Sequence, residues 1–402
     1  MWLIRLAWRN LWRNSRRTLI TVGALTLGVA AIVFLQSFQE ATFARMIRSV
    51  TSGLVGQLQI HGRGYQESPE LGNVIRHPAQ VEAVIVGRLP GAVAERRVLG
   101  AGLAGVGERA EPAMVLGVEP QASSSLRRIT SGADLSASPS RQAVIGAGLA
   151  DELQAHVGSE LVIVGQAADG SVANDRYTVV GVASTDSSDM DRRAVFLHIA
   201  DAQDLFGLGD AVHQIVVRLP TDDEDLTQPL SLARGALDAA TLEAMSWSEI
   251  VPELKGAIAD KRKGIKAIGA IVFFIVALGV LNAMTMSTFE RTREFGVMAS
   301  LGTRPRRILG LVVTEALLQG VLGLALGLGI AIALLYAIGT VDTPVSGQDV
   351  MGIRLPSAVP LGLHWIAVKT AGVTALLTVV LGGLVPAWRA ARLQPAEATR
   401  SA

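Results

Sequence analysis

The sequence predicts an α-helical membrane protein with four transmembrane helices, one followed by three, and a large α+β extracytoplasmic domain inserted between the first and the second. Half of the 402 residues are hydrophobic, and a mean hydropathy of +0.40 is high for a soluble protein. The apolar residues are concentrated in four blocks, and a polar segment of about 226 residues separates the first block from the other three. This segment is long enough to form a core of its own.

Each apolar block is long enough to cross a bilayer, which requires roughly 20 helical residues. The first two blocks, residues 18–38 and 267–289, contain no charged residue, the third contains only Glu315, and the fourth contains only Lys369. The third block is long enough to project beyond the membrane. We predict transmembrane helices at residues 18–38, 265–289, 308–340 and 365–388.

Charge placement predicts the orientation, because cytoplasmic segments are enriched in Lys and Arg. Residues 1–17 contain five arginines and no acid, 290–307 contain five arginines against two glutamates, and 389–402 contain three arginines against one glutamate. These segments are expected to be cytoplasmic, so both termini are cytoplasmic. The segment 39–264 has 20 basic and 29 acidic residues. It is expected on the other side, together with the short loop 341–364.

The N-terminal stretch mixes tryptophan with arginine directly before the first apolar block, for example at Trp8, Arg9, Trp12 and Arg13. Indoles favour the headgroup level and arginines favour anionic lipid. The pattern therefore predicts an interfacial elbow helix at residues 1–17. The alternative is a simple extension of the first transmembrane helix.

The extracytoplasmic segment interleaves strand-like and helix-like patterns, which predicts an α+β or α/β domain. The predicted strands are 56–61, 113–118, 161–164, 177–182, 195–197 and 214–219. The predicted helices are 78–86, 148–156, 199–206 and 226–239. The acidic run 222–225 suits a helix start, although a solvated linker fits it equally. The flanks 39–54 and 246–264 are expected as helical stalks that transmit motion, or as mere linkers.

Several classes of function lack their motifs in this sequence. There is no cysteine, which excludes a disulfide framework and a thiolate site. The formal net charge is +1, so no overall basic bias points to nucleic acid. No phosphate-binding loop, zinc-protease motif or nucleophile elbow occurs, and the six histidines are not spaced as metal ligands. We therefore expect no enzyme active site and no cofactor bound by this chain.

Two features lie inside the third apolar block. A strip of small residues at Gly320, Gly323, Gly327 and Gly329 favours close helix packing, within the chain or with a partner. Glu315 is a membrane carboxylate, which is a candidate for proton or substrate handling. We favour a structural role for it, either paired with Arg306 or Arg307 or capping a neighbouring helix.

Three segments carry a resemblance to a known family. The loop 289–308 reads Phe-Glu-Arg-Thr-Arg-Glu-Phe-Gly-Val-Met-Ala-Ser-Leu-Gly and onward, and Glu315 follows it early in the next apolar block. The tail 386–398 and the opening Ala-Trp-Arg-Asn-Leu-Trp-Arg-Asn add to the pattern. Together they resemble the MacB/FtsX-like ABC transporter permeases. Thr399 departs from the family's usual Leu or Ile. The outer segment looks most like the lipoprotein-releasing LolC/LolE branch.

The resemblance implies a permease subunit of the bacterial inner membrane with a periplasmic domain. Such permeases act as homo- or heterodimers with two cytoplasmic ABC ATPases, which hold the ATP and Mg. The segment 290–301 would be the coupling helix, with charges for docking and apolar side chains that fill a groove of the ATPase. The implied ATPase-coupling residues are Glu290, Arg291, Arg293, Glu294, Phe295, Gly296, Met298, Leu301 and Gly302.

The resemblance also implies a cargo, for which we expect lipoprotein or lipid extracted from the membrane and passed to a periplasmic carrier. Phe34, Phe38, Ile268 and Ile271 are expected to line the cargo cavity between protomers. The alternatives are a MacB-like tripartite efflux permease and an FtsX-like mechanotransmitter that activates an envelope enzyme. A receptor or scaffold without an ATPase is a further reading.

Overall fold

The computed structural model describes most of the chain. The described residues are 2–13, 15–120, 126–185, 187–221, 225–342, 349–350, 353–354 and 358–391. Three sequence predictions fall partly outside them: the acidic run 222–225, the loop 341–364 and the tail 389–402.

Twelve helices occur in the described residues. They are α1 Trp2–Arg13, α2 Ser15–Ser52, α3 Pro78–Arg88, α4 Ala147–Leu153, α5 Ser188–Arg193, α6 Ile199–Phe206, α7 Thr227–Ala236, α8 Trp247–Ile250, α9 Pro252–Glu290, α10 Thr292–Ser300, α11 Pro305–Ile338 and α12 Trp365–Ala391.

Ten strands form one large sheet. They are β1 Leu58–Gly62, β2 Val93–Val106, β3 Arg109–Val118, β4 Arg128–Gly132, β5 Gln142–Gly146, β6 Glu160–Gln166, β7 Val172–Ser184, β8 Ala194–His198, β9 Gln214–Arg218 and β10 Leu242–Ser246. Four short strands follow α11, namely β11 Thr340–Asp342, β12 Asp349–Val350, β13 Ile353–Arg354 and β14 Ala358–Pro360.

The chain divides into two compact units. We call the first the helical unit, which comprises residues within 1–43, 257–341 and 358–402. The second is the sheet unit, which comprises residues within 44–256 and 342–357. Four helices in the described residues, α2, α9, α11 and α12, are long and apolar enough to cross a membrane.

The helical unit has two apolar clusters in which these four helices meet. One cluster contains Leu25, Val280, Val312 and Val379, and it also takes in residues of α10. The other contains Val33, Ala331 and several alanines of α12. Its small side chains allow close approach of the helix axes.

The small-residue strip of α11 packs within the chain. A Cβ added at Gly323 would lie 2.6 Å from the Leu25 Cβ, and one at Gly327 would lie 2.7 Å from the Val29 Cβ, so both glycines face α2. Gly320 faces Val379 of α12 in the same way. Gly329 faces open space. Three of the four glycines therefore serve contacts between helices of one chain.

The sheet unit is built on a sheet of strand order β10-β1-β9-β2-β3-β8-β5-β7-β4, with β6 paired to β2 and β7. Its first four strands come from two βαβ segments, β1-α3-β2 and β9-α7-β10, which give the split βαβ arrangement. Strand β1 is central in this half and all five of its residues are buried. It pairs antiparallel with both β9 and β10.

Most predicted elements of this unit occur within a few residues of their expected bounds, but β2, β4, β5 and β10 were not predicted. Strand β2 is rich in glycine and alanine, which hides the alternation that identifies a strand. The helix expected in the flank 246–264 is present but divided at Val251: α8 ends at Ile250, and α9 begins at Pro252 and continues through the second apolar block. Proline fits the first turn of a helix but not its interior, because it has no N–H to donate.

Candidate coupling site

The short helix α10 coincides with the predicted coupling helix and has a well-defined end. Gly302 has a φ of 85°, a left-handed conformation that glycine adopts readily. Its N–H donates to the Ala299 carbonyl at 3.0 Å, and the Thr303 N–H donates to the Met298 carbonyl at 3.0 Å. This pair of hydrogen bonds is the Schellman motif. It explains why Gly302 stops the helix.

One side of α10 faces the interior of the helical unit. Phe295 is only 1% exposed and belongs to a cluster with Met284, Ile308 and Val312. Met298 is partly buried against the same cluster. The sequence suggested that Phe295 fills a groove of the partner ATPase. Because its side chain is buried within the chain, it is not available for that contact. Instead, its side chain holds α10 against the long helices.

A buried ion pair joins the segment before α10 to α11. The Arg291 Nη1 donates to the Glu315 Oε2 at 2.7 Å, and both side chains are less than a tenth exposed. The Asn10 Nδ2 donates to the other oxygen, Oε1, at 2.6 Å. Glu315 thus connects three helical segments.

The partner expected for Glu315 was wrong. The sequence pointed to Arg306 or Arg307, because these arginines stand nearest in the chain on the same predicted side. Both are exposed in the structure. Arg291 is held in place because its guanidinium lies 5.0 Å over the Phe295 ring and its Nε donates to Glu294 at 3.1 Å.

Two exposed ion pairs continue this network toward the N-terminal segment. The Arg17 guanidinium donates to both oxygens of Glu290, at 2.6 and 2.5 Å. Arg13 pairs with Glu294. Burial raises the pKa of Glu294, but the hydrogen bonds from Arg291 and Arg13 outweigh it and hold that pKa below its ordinary value. Glu290, Arg291 and Glu294, three of the charges expected to dock a partner, thus form ion pairs within the chain.

The other side of α10 is exposed. Arg293, Val297 and Leu301 lie on it, and Leu301 is 82% exposed. Their spacing of four residues places them on one helix face. We call these three residues the outer face of α10. Arg304 is also exposed, but it follows Gly302 and lies beyond the end of the helix. An apolar pair beside exposed arginines suits a protein partner with an apolar groove and acidic rim.

A small cavity of about 20 Å³ lies among Asn10, Arg291, Glu315 and Gln319. A volume of this size holds about one water molecule. The space next to Glu315 is therefore too small for a cargo molecule, which agrees with the structural role favoured for this carboxylate.

The residues expected to line a cargo cavity lie on two helices. Phe34 and Phe38 are half-buried on α2, whereas Ile268 and Ile271 are exposed on α9. Within the described residues there is no group of three or more histidine, aspartate or glutamate side chains placed to hold a metal ion.

Sequence reasoning missed the contribution of the N-terminal segment to this site. Arg13 and Arg17 were read as part of a positive cytoplasmic segment, and the elbow arginines as groups that face lipid. Asn10 and Arg13 are separated by one helical turn, which places them on one side of α1. That spacing was the only signal in the sequence. The residue between α1 and α2 lies outside the described residues, so the elbow at residues 1–17 stays a prediction.

Two family models match the chain. The MacB-like periplasmic core domain matches residues 18–229, slightly more than half of the chain. The FtsX-like permease C-terminal model matches residues 266–395, which includes α10, Glu315 and three of the four long helices.

Curated relatives agree with these models. The pyoverdine export ATP-binding/permease protein PvdT of Pseudomonas fluorescens is 27% identical over 99% of this chain and 59% of its own length. The macrolide export ATP-binding/permease protein MacB of Nitrobacter winogradskyi is 29% identical over 56% of this chain and 34% of its own. The chain thus spans about 59% of the length of the first of these relatives.

Among solved structures, the periplasmic region of MacB from Actinobacillus actinomycetemcomitans matches 49% of this chain and 92% of its own. The TM-score is 0.37 and the identity is 13%. The two family models together cover most of the four long helices, nine of the ten strands of the large sheet, and the coupling site. On this basis the chain belongs to the MacB/FtsX-like family of ABC transporter permeases.

Proposed function

We propose that this chain is the permease subunit of an ABC transporter in a bacterial inner membrane, with both termini cytoplasmic and the sheet unit periplasmic. The proposal places one membrane crossing before the sheet unit and three after it. A partner ATPase would bind the outer face of α10, and its closure on ATP would move α10. The single observation that carries this proposal is that one side of α10 is buried against the long helices while its other side is exposed.

The inner side of α10 supports a transmitting role because it is tied to several helices at once. Phe295 is inserted among the long helices, and Arg291 is bonded to Glu315 of α11. A displacement of α10 would therefore act on α11 and on the N-terminal helix together. Two more of the expected coupling residues, Glu290 and Glu294, would stabilise the position of α10 through their ion pairs with Arg17 and Arg13 and would not contact the ATPase.

The cargo is a second part of the proposal. MacB-like efflux is supported by the names of the relatives, which are export ATP-binding/permease proteins. Lipoprotein or lipid extraction remains the other candidate, and the exposed apolar side chains of Ile268 and Ile271 on α9 favour it. A second protomer would cover this part of α9 in a dimer. The FtsX-like mechanotransmitter, without cargo, is the third outcome.

The test is reconstitution with the ATPase in lipid nanodiscs and measurement of ATPase binding and turnover. The double variant Val297→Ala with Leu301→Ala removes the apolar contacts of the outer face, and we expect at least roughly tenfold weaker binding. The matched control is Leu363→Ala, which truncates an exposed leucine outside α10. Equal binding by both variants would disprove the assignment of α10.

The cargo alternatives are separated by a different measurement on the same complex. Native membranes are solubilised, the complex is purified, and ATP is added. Release of a lipid-modified protein supports extraction, and copurification of a periplasmic adaptor supports efflux. Copurification of an envelope hydrolase without any released cargo supports mechanotransmission.

A further inference from the structure

Strand β2 has a gap in its pairing along one edge. Its partner β3 pairs with residues 97–106 on the first edge. On the second edge, β9 pairs with residues 93–97 and β6 pairs with residues 102–105. In the described part of the sheet, residues 98–101 therefore have no paired strand on this second edge. At about 3.3 Å per residue, the gap is roughly 13 Å long.

A cleft of about 980 Å³ lies over this gap. Its floor includes Leu99, Gly100 and Ala101 of β2, and its walls are residues of the segments 65–72 and 166–170. The volume is at the upper end of the range typical of ligand sites. No segment among the described residues fills the gap, which leaves it open to a ligand there.

The backbone at the gap is oriented for hydrogen bonding. The His213 N–H donates to the Arg97 carbonyl at 3.1 Å, and the Leu99 N–H donates to the His213 Nδ1 at 3.0 Å. Backbone groups of alternate residues point to the same edge of a strand. The Leu99 carbonyl and the Ala101 N–H therefore point to this edge as well.

His213 marks one end of the gap and is held firmly there. Its Nε2 lies 3.2 Å from the Leu71 carbonyl and its Nδ1 accepts from Leu99, so the ring is neutral with the proton on Nε2. Burial lowers the pKa of this histidine. The imidazole accepts the hydrogen bond that a further residue of β9 would otherwise accept from β2. The pairing of β2 with β9 therefore ends at His213.

The lining of the cleft is amide-rich and nearly uncharged. The twenty described lining residues include Glu70 as the one carboxylate and no lysine or arginine. Four of them are glutamines, namely Gln59, Gln66, Gln166 and Gln214. Apolar side chains such as Leu54, Met114 and Ile250 complete the surface. A lining of this kind suits a ligand with amide groups and no net charge.

We propose that this cleft binds an extended peptide segment, which adds to the second edge of β2 between β9 and β6. The peptide would accept from the Ala101 N–H and donate to the Leu99 carbonyl, as in other cases of strand addition. The glutamines would contact its remaining amides, and the apolar residues would accept alternate side chains. The site lies wholly in the sheet unit and does not depend on the proposed coupling.

The test uses the full chain in nanodiscs and a blocked, fluorescein-labelled hexapeptide of alternating valine and threonine. Fluorescence anisotropy should show saturable binding. The same peptide N-methylated at every second amide should bind at least roughly tenfold more weakly, because N-methylation removes its donors along one edge. Hydrogen exchange of the Ala101 amide should become slower when the unmethylated peptide is bound.

Two variants on the same strand complete the design. Ala101→Phe fills the cleft from an exposed position on its floor, and Leu103→Phe adds the same ring at an exposed position outside the cleft lining. We expect Ala101→Phe to weaken binding at least roughly tenfold and Leu103→Phe to bind like the unmodified chain. Absence of saturable binding, equal affinity of the two peptides, or unchanged exchange of the Ala101 amide would overturn the proposal.

Discussion

Removal of either charge of the Arg291–Glu315 pair should destabilise the helical unit strongly. The pair is the most buried ion pair of the candidate coupling site, with both side chains less than a tenth exposed and a separation of 2.7 Å. Removal of one partner leaves the other as an uncompensated buried charge. The variants that test this are Glu315→Leu, Arg291→Met and their combination.

The expected loss in unfolding free energy depends on which hydrogen-bond partners remain for the charge that is left unpaired. In Glu315→Leu, Arg291 keeps its hydrogen bond to the partly exposed Glu294, so we expect a loss of about 3 kcal/mol in unfolding free energy, the lower end for a broken buried pair. In Arg291→Met, Glu315 keeps the Asn10 amide as a donor, and we expect a loss of about 4 kcal/mol. In the double variant no buried charge of the pair remains, but the Asn10 amide loses its acceptor, so the loss should be only about 1–2 kcal/mol.

The assay is reversible unfolding of the purified chain in mixed micelles, followed by circular dichroism as the denaturing detergent increases. The interaction energy is obtained from the double-mutant cycle. The exposed pair Arg17–Glu290 is the matched control, since its side chains are 26% and 45% exposed. The corresponding variants of that pair should each cost less than about 1 kcal/mol.

One result would refute this reasoning. If the losses of the two single variants simply add in the double variant, the two charges do not stabilise each other. Single losses no larger than those of the Arg17–Glu290 control would lead to the same conclusion. Glu315 would then be free for another role inside the membrane.

Two further predictions concern other parts of the chain. Burial lowers the pKa of His61 to about 4, against about 6.5 in the unfolded chain. The unfolded chain therefore binds more protons between these values, and unfolding free energy should fall by about 3 kcal/mol as pH decreases from 6.5 to 4. Unfolding curves measured as a function of pH should show that His61→Gln removes this contribution and leaves the smaller dependence due to the buried His213, whereas the exposed control His156→Gln retains both. Gly327→Ala places a methyl group 2.7 Å from Val29 and 2.8 Å from a backbone oxygen, so thermal unfolding should show a loss of about 1–3 kcal/mol. Gly329→Ala, which faces open space, should leave stability unchanged or slightly raised; equal effects of the two alanines would contradict the packing.

The difference between Gly327 and Gly329 shows where sequence reasoning stops. All four glycines of the strip have the same local signal, small residues at helical spacing in an apolar block. Only the position of α2 and α12 decides which of them support a contact. Periodicity identifies a face of a helix, but not the surface that covers it.

The coupling residues show the same limit. The loop sequence was enough to locate α10 and its glycine stop, because both follow from local backbone preferences. The exposed and buried sides of α10 were not separable, since Phe295 and Leu301 are both simply apolar in the sequence. The pairing of Arg291 with Glu315, and of Arg17 with Glu290, joins residues that are distant in the chain. Charge counts locate such residues but cannot pair them.

The sequence by itself determined the four long apolar helices, the polar segment between the first and second of them, and the family. These features depend on segment length, mean hydropathy and short motifs, which are local properties of the chain. Only the tertiary structure decided that Glu315 bonds to Arg291 and Asn10, and that β2 has an unpaired edge under a cleft. The physical reason is that ion pairs and strand ladders depend on long-range register, and small residues such as those of β2 carry almost no register signal of their own.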